Sequence, residues 1–144
     1  MTFQLPDPAT PNGERVRRRL RDERVIWLTT VDARGTPQPT PVWFLWDEET
    51  MSFLIYSRSE AKRLEHIRQN PLVALHLNHN GTGGDLIIFT GEARFSPDSP
   101  AADQLPAYTE KYVDFITNRL RQTPQQFAAR YPIALRIQPY VLRG

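Results

Sequence analysis

TPQPTPVWFLW, from Thr36 to Trp46, decides how this chain is read. Its second half, Val42-Trp43-Phe44-Leu45-Trp46, has the look of a buried strand, yet prolines stand at 37, 39 and 41, every second position before it. In an extended chain alternate residues direct their N–H groups to the same side, so the three prolines remove three donors from one edge only. No neighbouring strand can pair fully along that edge, whereas the opposite edge, with Gln38, Thr40 and Val42, remains able to pair. One reading is an edge strand protected by proline against aggregation. The other is an edge kept open for a planar, amide-bearing ring, with the first free donors at Val42 and Trp43.

Working outward, the segment before residue 12 carries Pro6, Pro8 and Pro11 and reads as an extended or frayed arm. Asn12 is the expected cap of a helix reaching about Asp22, with Val16 and Leu20 on its apolar side and a run of arginines between them. VIWLTTV (25–31) is β-branched and aromatic, hence a strand, and Asp32–Gly35 is a turn. Asp47–Thr50 turns the chain again into a strand over 51–57. Ser59 is the expected cap of a helix through SEAKRLEHIRQ, apolar at Ala61, Leu64 and Ile67 and basic on the other side, stopped by Asn70-Pro71. Strands follow at 72–77 and 86–95, the latter with Gly91 as a bulge or close approach. Residues 98–130 read as helical pieces interrupted by Pro106 and Pro124, and 133–142 as a last strand broken by Pro139.

One domain accounts for 144 residues. The residue pattern predicts an arm over 1–13 and a single domain over 14–144. Tight turns between the first strands favour antiparallel pairing, and the short strands favour a small barrel or curled sheet. A doubly wound parallel fold needs a helix after nearly every strand, and there are too few. Apolar residues make up 40% and charged residues 24%, both ordinary for globular chains. No apolar run approaches the roughly 20 residues of a membrane span, and the N-terminus has no signal-peptide pattern. With no cysteine there is no disulfide framework and no thiolate metal site. A cytoplasmic location is the expectation. The formal charge of +2 does not argue for a nucleic-acid partner.

A second constellation lies at YSRSEAKRLEHIRQNP, Tyr56 to Pro71. Ser57, Arg58, Ser59, Lys62 and Arg63 crowd the start of a helix, whose free N–H groups already favour an anion. Three cations there make a phosphate site reasonable, although a solvated basic helix face is the commoner outcome. His76 and His79 suggest a metal only weakly, because no third ligand stands nearby; no metal site is expected. NHNGTGGD (78–85) sits between two strands and lacks the strand–loop–helix context of a nucleotide loop. Tyr108, Tyr112 and Phe115 share a helical face expected to serve the core or a subunit contact.

GTPQPTPVWFLWD, then YSRSEAKRLEHIRQNPLVALHL, then DLIIFTGEARF and finally IALRIQPYVLRG, in that order, resemble the pyridoxamine 5′-phosphate oxidase-like split β-barrel superfamily, from about Glu14 to the C-terminus. The compact size resembles its deazaflavin (F420)-dependent reductase branch. The resemblance implies a mainly β, antiparallel FMN-binding split barrel with flanking helices, and a homodimer with cofactors in grooves between subunits. Carried onto this chain, it implies that Thr40, Val42 and Trp43 meet the cofactor ring and that Ser57, Arg58, Lys62 and Arg63 meet its phosphate. Lysine usually stands where Arg63 is. The activity implied is hydride transfer between coenzyme F420 and a small organic acceptor. The alternatives are an FMN-dependent oxidoreductase or a non-catalytic flavin- or tetrapyrrole-binding protein. The arginines between 15 and 21 are candidates for the anionic tail of F420. No catalytic residue is picked out.

Overall fold

The computed structural model describes residues 2–144. Helix α1 (Pro11–Asp22) leads into β1 (Val25–Val31), β2 (Pro37–Trp43), β3 (Leu45–Asp47) and β4 (Ser52–Ser57). Helix α2 (Lys62–Gln69), β5 (Leu72–His76) and β6 (Ile88–Phe95) follow. A 3₁₀ turn (Ala102–Gln104), α3 (Pro106–Asp114), a π turn (Phe115–Arg119), α4 (Pro124–Arg130) and β7 (Ile133–Arg143) complete the chain. The strands form one seven-stranded sheet in the order β2-β1-β5-β6-β7-β4-β3, every pair antiparallel. This is a curled, split-barrel sheet with flanking helices.

The opening stretch forms two strands, not one. β2 lies at one edge of the sheet and β3 at the other, yet only Phe44 separates them. The sheet must therefore curl until its two edges nearly meet at Phe44. β1 covers one side of β2, with Val31 opposite Pro37 and Val25 opposite Trp43, and no strand covers the other. The three prolines thus sit on a free edge, as their parity requires; Val42 has the opposite parity and turns its N–H toward β1, so of the two donors expected on the free edge only Trp43 lies there.

The barrel interior is filled by residues such as Ile26, Leu28, Phe53, Leu75, Phe89 and Ile137. A second core lies outside the barrel, where Leu54 and Tyr56 of β4 and Ala134 of β7 meet Tyr108, Tyr112, Ile116 and Phe127 of the helical layer. β4 is consequently buried on both faces along its whole length, which explains its continuous run Phe53-Leu54-Ile55-Tyr56 in place of an alternating pattern. Each large side chain enclosed this way contributes about 1.5–3 kcal/mol. Gly91 serves both expected purposes. The β6–β7 register shifts between Thr90 and Gly91, and a Cβ there would fall 2.2 Å from the Gln138 carbonyl oxygen.

Several local expectations are corrected. Thr10, not Asn12, caps α1, its hydroxyl accepting from the Gly13 N–H. The arm is docked, not frayed: Leu5 is buried and Phe3 packs edge-on against Phe89. Ser59 does not cap α2, which starts after Ala61; its hydroxyl donates to Glu60 instead. Pro106 and Pro124 begin helices, since a first-turn N–H has no partner to lose. Pro139 does not break β7, because it faces Gly91 at the bulge. Among the described residues, no helix is long and apolar enough to cross a membrane.

Candidate functional site

The end of β4 and the start of α2 build the site from adjacent residues. Ser57 closes β4 fully buried. Arg58, Ser59 and Glu60 turn the chain, with the Ala61 N–H donating to the Arg58 carbonyl at 3.2 Å. Arg63, one residue into α2, reaches back so that Nη1 donates to Ser57 Oγ at 2.7 Å. Its Nε is sealed from solvent without any hydrogen-bond partner, and no carboxylate pairs with it among the described residues. Burial pushes the Arg63 guanidinium below its ordinary pKa. Lys62 is exposed and likewise unpaired. Arg58 differs: it pairs with Glu60 at 2.6 Å, and this hydrogen bond holds the Glu60 carboxyl below its ordinary range.

Two cavities open beside this turn. One, of about 490 Å³, lies against Pro41, Val42 and Trp43 of β2, Arg58 and the aromatic side chains of the helical layer. The other, of about 480 Å³, lies against Gln38, Pro39 and Thr40 with Lys62 and His66. Ala61 and Arg63 border both. Successive β2 residues line the pair, and the second cavity also reaches Thr30 of β1 and Asp32. Of the seven residues expected at the cofactor, Val42, Trp43, Arg58 and Arg63 meet the first cavity, and Thr40, Lys62 and Arg63 the second. Ser57 lines neither and is placed behind Arg63.

The Trp43 indole is engaged by the protein. It stacks on Tyr112 at 4.7 Å between centroids and 4°, and on Phe127 at 5.4 Å and 15°. Tyr56, Tyr108, Phe127 and Tyr131 also line the first cavity. Sequence reading did not place these four there. Tyr108 and Tyr112 share a helical face, but only the packing of α3 on β4 shows that one of them borders an opening. His66, also unassigned from sequence, forms a 2.8 Å hydrogen bond with Thr30 Oγ1.

The remaining candidates have structural partners. Each arginine of the α1 run is ion-paired: Arg15 with Asp85, Arg17 with Glu48, Arg18 with Glu14, Arg19 with Glu23 and Asp85, Arg21 with Asp22. They do not present a free cationic surface. His79 Nδ1 accepts from the N–H groups of Gly81 and Gly83, which shapes the glycine loop. His76 stacks on Trp27. No cluster of three or more His, Cys, Asp or Glu suited to a metal occurs among the described residues.

A curled antiparallel sheet with an open strand edge beside a cationic helix start defines the class of split-barrel proteins. More narrowly, residues 13–138 match the pyridoxamine 5′-phosphate oxidase family model, and the chain belongs to that family. Solved structures agree on the fold. The Mycobacterium tuberculosis protein Rv2991 superposes with a TM-score of 0.72 at 20% identity, covering 99% of this chain and 88% of its own. A protein described as an F420 reductase gives a TM-score of 0.63 at 20% identity, covering 86% and 93%. HutZ, a haem storage protein of Vibrio cholerae, gives 0.60 at 18%, covering 90% and 92%. No curated protein matches in sequence.

Proposed function

We propose that this protein is an oxidoreductase that binds coenzyme F420 in the groove between the free edge of β2 and the start of α2, and reduces a small organic acceptor there. The observation that carries the reading is Arg63: a half-buried guanidinium with an orphaned, sealed Nε, no acidic partner among the described residues and an opening on either side of it. A charge partly withdrawn from water and left unpaired is costly, and a phosphate would satisfy it through charge-assisted hydrogen bonds. Lys62 adds charge at the same helix start, where Arg58 stands paired with Glu60. Thr40, Val42 and Trp43 would border the ring, and Ser57 would hold Arg63 in place. The bound cofactor supplies the hydride. The chain orients it, excludes water and stabilises charge that develops on the acceptor.

The reading includes a homodimer. Leu72, Tyr140 and Val141 on β5 and β7 are each more than half exposed, and a second copy would cover part of this surface. Titration of the purified protein with F420, with FMN alongside, tests the cofactor. Saturable binding of F420 over FMN supports the proposal, and binding of neither overturns it. FMN is the second reading, favoured by one observation. The paired α1 arginines leave no free cations on that helix for a longer anionic tail, so nothing there discriminates against the shorter cofactor. Binding of haem alone would move the protein to the non-catalytic alternative.

A further inference from the structure

The glycine loop between β5 and β6, Asn78 to Asp85, takes no part in the proposed site. Its stem is fixed: Arg19 donates to the carbonyls of Asn78 and Asp85 at 2.7 Å each, and Trp27 Nε1 donates to Asn78 Oδ1 at 3.1 Å. Its tip, His79 to Gly83, is exposed. Asn80-Gly81 at that tip is one of two Asn-Gly pairs in the chain, the other being Asn12-Gly13.

An asparagine followed by glycine has an intramolecular reaction open to it. The glycine nitrogen attacks the side-chain amide carbon and closes a five-membered succinimide, with no side chain on the glycine to block the approach. The reaction needs a base for the N–H proton and stabilisation for charge on the amide oxygen. The loop supplies both. The Gly81 N–H donates to His79 Nδ1 at 2.9 Å, and the Gly83 N–H shares that nitrogen at 3.2 Å. This puts an imidazole lone pair on the proton that must leave, with the ring's own proton on Nε2. Asn80 Oδ1 accepts from the Thr82 N–H at 3.0 Å, the Thr82 hydroxyl at 2.8 Å and the Gly84 N–H at 3.0 Å. Three donors on one amide oxygen form an oxyanion hole. Gly81 has nothing within 4 Å of where a Cβ would stand, so water reaches the pair. Asn12-Gly13 differs, since Gly13 is buried in α1 and its N–H donates to the Thr10 hydroxyl in place of a base.

We infer that Asn80 is a self-modifying residue, which the loop converts to an acidic one with His79 as the base and the Gly81 nitrogen as the nucleophile. As the N–Cγ bond forms, His79 takes the Gly81 proton and the carbonyl π pair moves onto Oδ1, where the three donors hold it. The pair then returns, the bond from Cγ to the side-chain nitrogen breaks, and that nitrogen leaves as ammonia with the proton His79 had taken. Water opens the ring to aspartate or isoaspartate. The product adds one negative charge to the loop tip, and the isoaspartate form lengthens the backbone there by a methylene. The inference does not depend on which cofactor the protein binds.

The test incubates the purified chain at neutral pH in water enriched in heavy oxygen and follows Asn80 and Asn12 by peptide mass spectrometry. A free peptide spanning residues 76–86 is the reference, because it has the same sequence without the folded stem. Asn80 is expected to convert at least about ten-fold faster in the folded chain than in the peptide, with heavy oxygen in the product, while Asn12 stays intact. His79→Gln keeps a hydrogen-bond acceptor but no base, and should slow Asn80 by about ten-fold or more with Tm unchanged. Thr82→Val removes one donor from Oδ1 and should slow it as well. Slower conversion in the folded chain than in the peptide would make these hydrogen bonds protective and overturn the inference. A rate unaffected by His79→Gln would overturn it too.

Discussion

The Phe44 N–H donates to the Tyr112 hydroxyl at 2.8 Å, and the same hydroxyl lies 2.9 Å from the Phe44 carbonyl oxygen. Phe44 is the single residue between the two edges of the sheet, so no strand partner serves its backbone. One side chain of α3 does so instead, and Lys111 Nζ adds a 3.0 Å bond to the same carbonyl. The helical layer thus closes the polar account of the barrel seam.

Tyr112→Phe keeps the ring stacked on Trp43 but strands the buried Phe44 N–H. The expected cost is about 2 kcal/mol, a fall in Tm of about 7 °C for a chain of this size. Thermal unfolding checks it. A loss as small as that of an exposed substitution would mean the seam is satisfied in another way.

Lys111 gives a pH signature. Burial pushes its amine down to about 8 from an ordinary 10.5. The unfolded chain therefore holds this proton to higher pH than the folded protein does, and stability rises with pH between about 8 and 10. Above that window the sign reverses, because the buried Tyr56 phenol, pushed up to about 12 by burial, stays protonated while the unfolded tyrosines ionise. Urea midpoints from pH 7.5 to 9.5 should climb in wild type and climb less in Lys111→Met. Equal slopes would refute the assignment.

Arg63→Met should leave the cofactor-free protein about as stable as wild type, since it removes a half-buried charge that has no counter-ion among the described residues. It should also weaken binding of either phosphate-bearing cofactor by about 10- to 100-fold, the range of a charge-assisted hydrogen bond. Millimolar inorganic phosphate should raise Tm in wild type and not in the variant. Calorimetry with and without phosphate reads both effects.

Arg18→Ser and Arg21→Ser should change F420 and FMN affinity by less than about two-fold each. Both side chains are exposed and paired on their own helix, with Glu14 and Asp22, and such pairs are worth under about 1 kcal/mol. A selective loss of F420 affinity would restore the tail-binding reading of the α1 arginines.

What the sequence by itself determined here follows from covalent chemistry and short-range geometry. Proline has no N–H, so alternate prolines at 37, 39 and 41 define a free edge whatever else the chain does. The strand at Val25–Val31, the glycine at 91 and the clustering of Ser57, Arg58, Lys62 and Arg63 around one helix start are similarly local. The tertiary structure alone decided the break at Phe44, because the groups that satisfy its backbone lie 67 and 68 residues further on. It also decided that Arg15 and Arg17 are paired, since Asp85 and Glu48 reach them from distant loops. The orphaned Nε of Arg63 belongs to the same class. A missing hydrogen bond depends on what every other element brings near, and no local pattern contains that.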